Sequence, residues 1–347
     1  MKIARFRFAQ GPGPESVAGP DPDPGAGTGP ARVRSGLGVL TSPLGDAPAP
    51  GSPDPVELAD LTGMVDGAVA PLDVARLMLL GGAEHLRATL ARAPRRLVPL
   101  EHLMSPVPSP GKFLAIGYNY RAHADEAGAA PDAFPLFFNK QVTCISGPRT
   151  PIPLPAGCDM LDYEGELAFV VGRSCKNVPV ERAGEVIGGW TACNDVSARD
   201  WQRQSPTITM GKSHDGFGPT GPWLVTPDEI EDPHDLQIRT LVNGSERQCG
   251  TTADMIHSAF EQIAVLSSRC SLRPGDMVTT GSPAGSAQGR LPPPWLRAGD
   301  VVRVEVEGVG VLENQVVNEG PSAWIDPGGS DGSRSPVVDR VAPEGLR

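Results

Sequence analysis

The sequence predicts an α+β fold that is rich in β-structure. From Gly111 onward, short apolar runs are bounded by Gly, Pro and Asn, a pattern typical of strands and tight turns. Val302, Val304 and Val306 alternate with charged residues, as expected of a strand with one buried face. Asn243-Gly244 favours the positive φ angles of a two-residue hairpin turn.

The first hundred residues combine a few predicted elements with Gly/Pro-rich stretches. The predicted strands are Met1–Ala9, Val33–Leu40 and Val56–Leu61, and two short helices over Leu72–Leu79 and Ala83–Ala91 contain good helix formers. Gln10–Pro30 and Thr41–Pro55 have the composition of flexible insertions. We therefore predict a small N-terminal α+β domain over residues 1–105, a main domain over residues 106–320 and a disordered tail over residues 321–347.

The main domain is predicted to be mostly strands. The predicted strands are Phe113–Ile116, Leu136–Asn139, Glu166–Val171, Gly189–Cys193, Trp223–Thr226, Gln237–Val242 and Met277–Thr280. One good helix is predicted to begin at Ser258 and to end near Arg269, because Ser258 and Glu261 have the spacing of a capping box before an apolar run.

Composition narrows the function. The chain has 347 residues, is 39% hydrophobic and 20% charged, and carries a formal net charge of -11, which fits a globular protein without a nucleic-acid partner. Six scattered cysteines without a C-x-x-C pair predict free thiols in a reducing compartment. The sequence has no apolar stretch of the roughly 20 residues needed to cross a membrane, so we expect a cytoplasmic protein with no membrane partner.

Three acidic residues suggest a metal site. Residues two apart in a strand share a face, so Glu164 and Glu166 would project side by side and repel unless a cation lies between them. Asp195 follows a second predicted strand. Carboxylate oxygens suit Mg²⁺, Mn²⁺ or Ca²⁺. The alternatives are a solvent-facing edge strand for the two glutamates and a helix N-cap for Asp195.

Other polar residues are candidates for acid–base and binding roles. His123 and Glu126 are three residues apart, so one helical turn would bring an imidazole beside a carboxylate, the arrangement of a general base. Lys212 could place an ammonium against a substrate carboxylate, and the loop that begins at Thr280-Gly281 could donate N–H groups to an anion. The alternatives are a surface His, an exposed Lys and a plain turn.

Taken together, these segments resemble the fumarylacetoacetate hydrolase family. The resemblance extends from about Gly111 to Val317, and five motifs occur in the family's order. They are G-Y-N-Y-x-x-H-x-x-E at residues 117–126, D-Y-E-G-E-L-A at 162–168, N-D-V-S-A-R-D-W-Q at 194–202, G-K-S at 211–213 and T-G-S-P-A-G at 280–285. The resemblance implies a mixed β-sandwich roll of the family's C-terminal type. His214, Ser282 and residues 286–288 depart from the family's usual pattern.

The resemblance also implies roles for individual residues. It implies metal ligands at Glu164, Glu166 and Asp195, and Mg²⁺ as the cofactor, with Mn²⁺ or Ca²⁺ as alternatives. It implies a catalytic dyad of His123 and Glu126, often on a mobile lid. Catalysis is also expected to involve Lys212. Substrate contacts are expected from Gln202, Tyr118, Thr280 and Gly281.

The implied activity is hydrolysis of a C–C bond in a 2,4-dioxo acid of the acylpyruvate type, through a metal-stabilised enolate. The same site could instead support a decarboxylase, an isomerase or an oxaloacetate-type keto–enol tautomerase. A non-catalytic binding protein is a further alternative, and a cupin-type site is disfavoured because the six histidines are dispersed. The implied partners are a small dioxo acid and a second copy of the chain in a homodimer.

Overall fold

A computed structural model describes residues 1–9, 33–41, 55–65, 70–79, 82–129 and 134–320. The predicted insertion Gln10–Pro30 and the predicted tail Pro321–Arg347 lie outside these ranges. So does the predicted loop Thr41–Pro55, apart from its two end residues.

The described N-terminal part contains strands and two helices close to the predicted positions. The elements are β1 (Lys2–Ala9), β2 (Val33–Leu40), β3 (Val56–Asp60), α1 (Pro71–Leu79), α2 (Ala83–Leu90), β4 (Arg95–Val98) and β5 (Leu103–Met104).

The remainder is mostly strands, with four short or medium helices among the described residues. The elements up to Lys212 are β6 (Phe113–Gly117), α3 (Arg121–Glu126), β7 (Leu136–Lys140), β8 (Ile145–Ser146), β9 (Ile152–Leu154), β10 (Leu161–Asp162), β11 (Gly165–Val171), β12 (Ile187–Asn194), β13 (Ser197–Ala198), α4 (Arg199–Gln202) and α5 (Thr209–Lys212). The later elements are β14 (Gly218–Val225), β15 (Gln237–Val242), β16 (Ser245–Thr251), α6 (Ala259–Arg269), β17 (Met277–Thr279), β18 (Val301–Val306) and β19 (Gly310–Asn318).

Two large sheets dominate the described part of the chain and confirm the predicted β-rich α+β class. The larger has the order β4-β3-β2-β1-β14-β12-β11-β17-β6-β7, with β5 beside β1 and β8 beside β14. The smaller has the order β16-β15-β18-β19-β9, and β10 pairs with β13. Most pairs are antiparallel, but β17 pairs in parallel with β6 and β19 with β9, so the sheets are mixed.

The centre of the larger sheet is β11 against β12. Every residue of both strands is buried. A strand that is covered on both faces needs apolar side chains on both, and the long apolar runs of β11 and β12 provide them. The two strands therefore form a fully buried base for the residues at their ends.

The first strand continues this sheet. Lys2 and Ile3 of β1 pair with Val225 and Leu224 of β14, so the N-terminal strands hydrogen-bond directly to the strands of the main region. The proposed division near residue 105 stays a prediction.

Two local predictions are confirmed in detail. Asn243 and Gly244 have φ angles of 51° and 75° and join β15 to β16 in an antiparallel hairpin. Ser258 caps α6, and Glu261 completes the capping box.

Strand β14 is longer than predicted. It begins at Gly218 rather than Trp223, although Pro219 and Pro222 weaken the strand signal there. Its pairing with β12 is irregular between Trp190 and Ala192, which accommodates the interruptions. Among the described helices, none combines the length and hydrophobicity needed to cross a lipid bilayer.

Candidate metal centre and adjacent acid–base pair

Pairing of β11 with β12 brings the three predicted metal ligands together. Gly165 pairs with Asn194, so the residues just outside this pair, Glu164 and Asp195, are neighbours, and the Asp195 N–H donates to the Glu164 carbonyl oxygen at 2.8 Å. One carboxylate oxygen from each of Glu164, Glu166 and Asp195 lies within 4.8 Å of the other two, and all three residues are buried.

The local conformation differs from the prediction at two points. Strand β11 begins at Gly165, so Glu164 precedes the strand rather than sharing its regular face with Glu166. The N-cap of the following helix is Ala198, so Asp195 does not have the alternative role of a helix cap. The acids meet because the pairing of Gly165 with Asn194 places Glu164 opposite Asp195 at the ends of the two strands.

Three buried cations contact these acids. Lys212 Nζ lies 2.5 Å from Glu164 Oε2 and 2.7 Å from Asp195 Oδ2. Arg199 Nη2 lies 2.5 Å from the other oxygen of Glu164. Lys140 Nζ lies 2.5 Å from Asp195 Oδ1. Burial makes an unpaired charge very costly, so these contacts stabilise the ionised acids.

The acids differ in electrostatic environment. Burial raises the pKa of the Glu164 carboxyl, but the charges of Arg199 and Lys212 outweigh it, so this pKa lies well below its usual value. Burial also raises the pKa of Glu166, and the carboxylates of Asp195 and Glu164 raise it further. Negative charge is therefore incompletely balanced on the Glu166 side of the cluster.

This donor set fits a divalent metal ion. Three carboxylates within 4.8 Å of one another are close enough for one ion to contact all of them. Hard oxygen donors favour Mg²⁺ or Mn²⁺ over softer ions. A cation beside Glu166 would also relieve the repulsion that raises its pKa.

The predicted acid–base pair lies beside the cluster. His123 and Glu126 are on α3, one turn apart, and His123 Nδ1 lies 3.3 Å from Glu126 Oε2. The other ring nitrogen, Nε2, lies 3.8 Å from Glu164 Oε1. Glu126 also accepts a hydrogen bond from the Gly285 N–H at 3.1 Å, which anchors α3 to the loop after β17.

The predicted substrate contacts are divided between two environments. Tyr118 and Gln202 line the cavity at the carboxylates, as does Lys212. Tyr118 has a φ of 54°, and its ring centroid is 5.9 Å from that of His123. Thr280 and Gly281 make structural contacts: the Thr280 hydroxyl donates to the Leu167 carbonyl, and the Gly281 N–H donates to Glu166 at 2.9 Å. Their predicted role with substrate stays a prediction.

The cavity at the carboxylates is small, with a volume of about 30 Å³. A second cavity of about 220 Å³ adjoins it and shares Gly117, Tyr118 and Leu136 with it. Larger cavities occur elsewhere in the described residues, but none is lined by the acidic cluster.

Sequence reasoning missed Lys140, Arg199 and Asp162. Asp162 accepts hydrogen bonds from Arg199 Nε at 2.9 Å and from the Ala287 N–H at 2.7 Å, so it connects the cluster to the loop after Gly285. Arg199 and Asp162 lie within motifs that the sequence analysis quoted, but Lys140 ends an ordinary apolar run. Only its complete burial shows that it belongs to the site.

The fold and the site define a class of β-rich α+β proteins with a buried carboxylate cluster suited to a divalent ion. Over residues 112–317 the sequence matches the family described as fumarylacetoacetate (FAA) hydrolase C-terminal. The chain belongs to the fumarylacetoacetate hydrolase family.

Similar proteins include enzymes with different reactions. The chain is 42% identical over 217 residues to the mitochondrial oxaloacetate tautomerase fahd2 of Xenopus laevis, covering 62% of this chain and 68% of that protein. It is similar to the solved fumarylacetoacetate hydrolase of Exiguobacterium antarcticum, with 32% identity, a TM-score of 0.69 and coverage of 91% and 100%. Maleylpyruvate hydrolase of Sphingobium sp. SYK-6, solved with manganese(II) and pyruvate, is 29% identical, with a TM-score of 0.67 and coverage of 92% and 100%.

Proposed function

We propose that this protein is a divalent-metal-dependent hydrolase that cleaves the C–C bond of an acylpyruvate-type 2,4-dioxo acid. The observation that carries the proposal is the position of His123, between the Glu126 carboxylate and the acidic cluster. This places a candidate base beside a candidate metal centre. The Sphingobium relative, solved with manganese(II) and pyruvate, supports a keto acid at such a centre.

Glu164, Glu166 and Asp195 would hold the ion, with Mg²⁺ or Mn²⁺ as the proposed cofactor. When bound, the ion supplies positive charge to the oxygen atoms of the keto acid. Lys212, in contact with two of the acids, adds a fixed positive charge on the same side of the cavity.

Glu126 sets the proton position on His123. A carboxylate next to Nδ1 favours the proton on that nitrogen, which leaves the Nε2 lone pair directed toward the cluster. His123 Nε2 then takes a proton from a water molecule as the oxygen of that water attacks the C4 carbonyl of the substrate.

The bond between C3 and C4 breaks next. Its electron pair goes to C3, which takes the proton held on His123, and C4 retains the oxygen from water as a carboxylic acid. The products are pyruvate and the acid derived from the acyl group. His123 returns to its neutral form, so the dyad is ready for a second turnover.

The test is an assay of chelator-treated protein with a panel of 2,4-dioxo acids, before and after addition of Mg²⁺ or Mn²⁺. Loss of enol absorbance together with metal-dependent formation of pyruvate is the expected result. Unchanged acylpyruvate in the presence of either ion would refute the hydrolase proposal.

A second candidate function is keto–enol tautomerisation of an oxaloacetate-type acid. The 42% identity to the Xenopus tautomerase favours it, and His123 could move a proton between carbon and oxygen without water attack. In the same assay, oxaloacetate enol would disappear faster than its spontaneous rate, without release of pyruvate. We also propose that the protein is a homodimer, to be tested by light scattering.

A further inference from the structure

Part of the lining of the candidate active site is apolar. Ile116, Leu136, Phe138 and Ile208 line the small cavity, whose uncharged polar lining residues are Tyr118, Gln202, Ser282 and Gln288. An apolar wall favours a hydrocarbon group and offers no partner to a charge. The four apolar residues therefore form the apolar wall of the cavity.

Ile208 is held on this wall in an unfavourable backbone conformation. Its φ is 65°, in the left-handed region that β-branched residues rarely adopt. Such conformations persist only where the surrounding structure enforces them, and they concentrate at functional sites. The half-buried Ile208 side chain at this point is therefore consistent with a role in contacting substrate.

The cations that line the cavity already have partners. Apart from His123, the described positively charged side chains on the cavity are Arg199 and Lys212. Arg199 contacts Asp162 and Glu164, and Lys212 contacts Glu164 and Asp195. Neither is available to pair with a second substrate carboxylate without breaking a buried ion pair.

The neighbouring cavity could receive the distal group. Leu136 lines both cavities, and the larger one is also lined by Ala129, Phe134, Pro135 and Ile256. Its volume of about 220 Å³ is sufficient for a short alkyl chain or a small ring. Tyr118 and His257 are the ionisable side chains among the described residues that line this larger cavity, and His257, the one that can carry a positive charge, is the group to test for a distal carboxylate.

We propose that the site selects 2,4-dioxo monoacids whose distal group is uncharged and apolar, and discriminates against those with a distal carboxylate. This inference rests on the proposed function for the orientation of the substrate. It assigns specificity to Leu136 and Ile208, two residues to which the sequence analysis gave no role.

The test compares 2-oxohexanoate with 2-oxohexanedioate. The two compounds have the same chain length, but the first ends in a methyl group and the second in a carboxylate. Both lack a 4-oxo group and cannot be cleaved, so binding measured by calorimetry in the presence of Mg²⁺ is independent of turnover. We expect the monoacid to bind at least about tenfold more tightly, because burial of a carboxylate without a cation to pair with it is strongly unfavourable. Equal or tighter binding of the diacid would overturn the proposal.

Variants at Leu136 locate the selectivity. Leu136 is 41% exposed, so substitution there is compatible with folding. Leu136→Arg should narrow or reverse the preference by providing a cation, whereas the control Leu136→Met should preserve it. An unchanged preference for the monoacid in Leu136→Arg would contradict the assignment. So would a loss of diacid binding in His257→Leu, because it would show that His257 receives the distal carboxylate. Failure of the proposed function would appear separately, as absence of pyruvate from acylpyruvates.

Discussion

Lys140 and Asp195 form an ion pair that is almost completely shielded from solvent. Lys140 Nζ lies 2.5 Å from Asp195 Oδ1, and the two side chains are 0% and 1% exposed. The ammonium also donates to the carbonyl oxygens of Lys212 and Phe217. The charge of Asp195 keeps the pKa of Lys140 above its usual value, although burial lowers it. Lys140 thus holds the carboxylate of Asp195, one of the proposed metal ligands, in position through its Oδ1 atom.

Lys140→Met should destabilise the metal-free protein because it leaves Asp195 buried without this partner. The expected loss in the free energy of unfolding is about 3–5 kcal/mol, measured by urea titration. Lys176→Met is the matched control, since Lys176 is exposed and donates one long hydrogen bond; its effect should stay within about 0.5 kcal/mol. Similar effects in both variants would show that the Lys140 ion pair contributes little.

Glu166→Gln should weaken Mg²⁺ or Mn²⁺ binding by at least about 100-fold. Loss of a residue that contacts a metal ligand typically lowers metal affinity about 10–100-fold, and loss of a ligand itself should lower the affinity further. Calorimetric titration measures the affinity directly. Glu185→Gln replaces an exposed carboxylate that pairs with Arg182, and it should leave the affinity unchanged. Retention of wild-type affinity in Glu166→Gln would exclude Glu166 as a ligand.

His123→Gln should lower kcat for acylpyruvate cleavage by about 10²–10⁴-fold, the usual contribution of a general base. Metal affinity should fall by less than in Glu166→Gln, because His123 lies 3.8 Å from the proposed ligand Glu164 and is not itself proposed as a ligand. Steady-state assays of pyruvate release and metal titrations on the same preparation separate the two effects. A variant that cleaves at the wild-type rate would remove His123 from the mechanism.

Gly289→Ala should disturb the dyad by a steric effect. A Cβ atom at Gly289 would overlap the Glu126 carboxyl group, so Glu126 must shift away from His123. We expect kcat to fall by roughly tenfold or more, with metal affinity unchanged. Gly184→Ala is the control, because a Cβ there would make ordinary contact with the Phe260 ring at 3.5 Å. Equal activity in both variants would show that the position of Glu126 is unimportant.

Glu126 should make stability depend on pH. Burial raises the pKa of the Glu126 carboxyl, but hydrogen bonds from His123 and Gly285 lower it by more, so the folded protein has a lowered pKa here. The unfolded chain then binds more protons between the two pKa values. This contribution to stability is therefore present above the unfolded pKa of about 4.3 and is lost as pH falls through the folded value.

Urea unfolding of wild type and Glu126→Gln at several pH values measures this effect. The stability difference between the two proteins should be largest near neutral pH and should shrink as pH falls below about 4.3. A difference that grows on acidification would have the wrong sign for a lowered pKa.

Much of the fold could be predicted because its signals are local. The Asn243-Gly244 turn and the capping box at Ser258 depend only on adjacent residues, and both are confirmed. The apolar run of β11 predicted a buried strand for the same reason. The ordered motifs predicted the family, and this prediction is confirmed over residues 112–317. The roles of the individual site residues stay predictions.

The tertiary structure alone decided which charges balance one another. Lys140 and Asp195 are 55 residues apart in sequence, and Arg199 and Asp162 are 37 apart. No local pattern distinguishes a lysine at the end of an exposed strand from Lys140, which is buried and donates to the Phe217 carbonyl just before β14. The same limit applies to β14, whose prolines obscure a strand that is held in place by β1 and β12. Local sequence determined the elements and the candidate residues, whereas long-range strand pairing determined burial and charge compensation, because both depend on chain segments that meet only after folding.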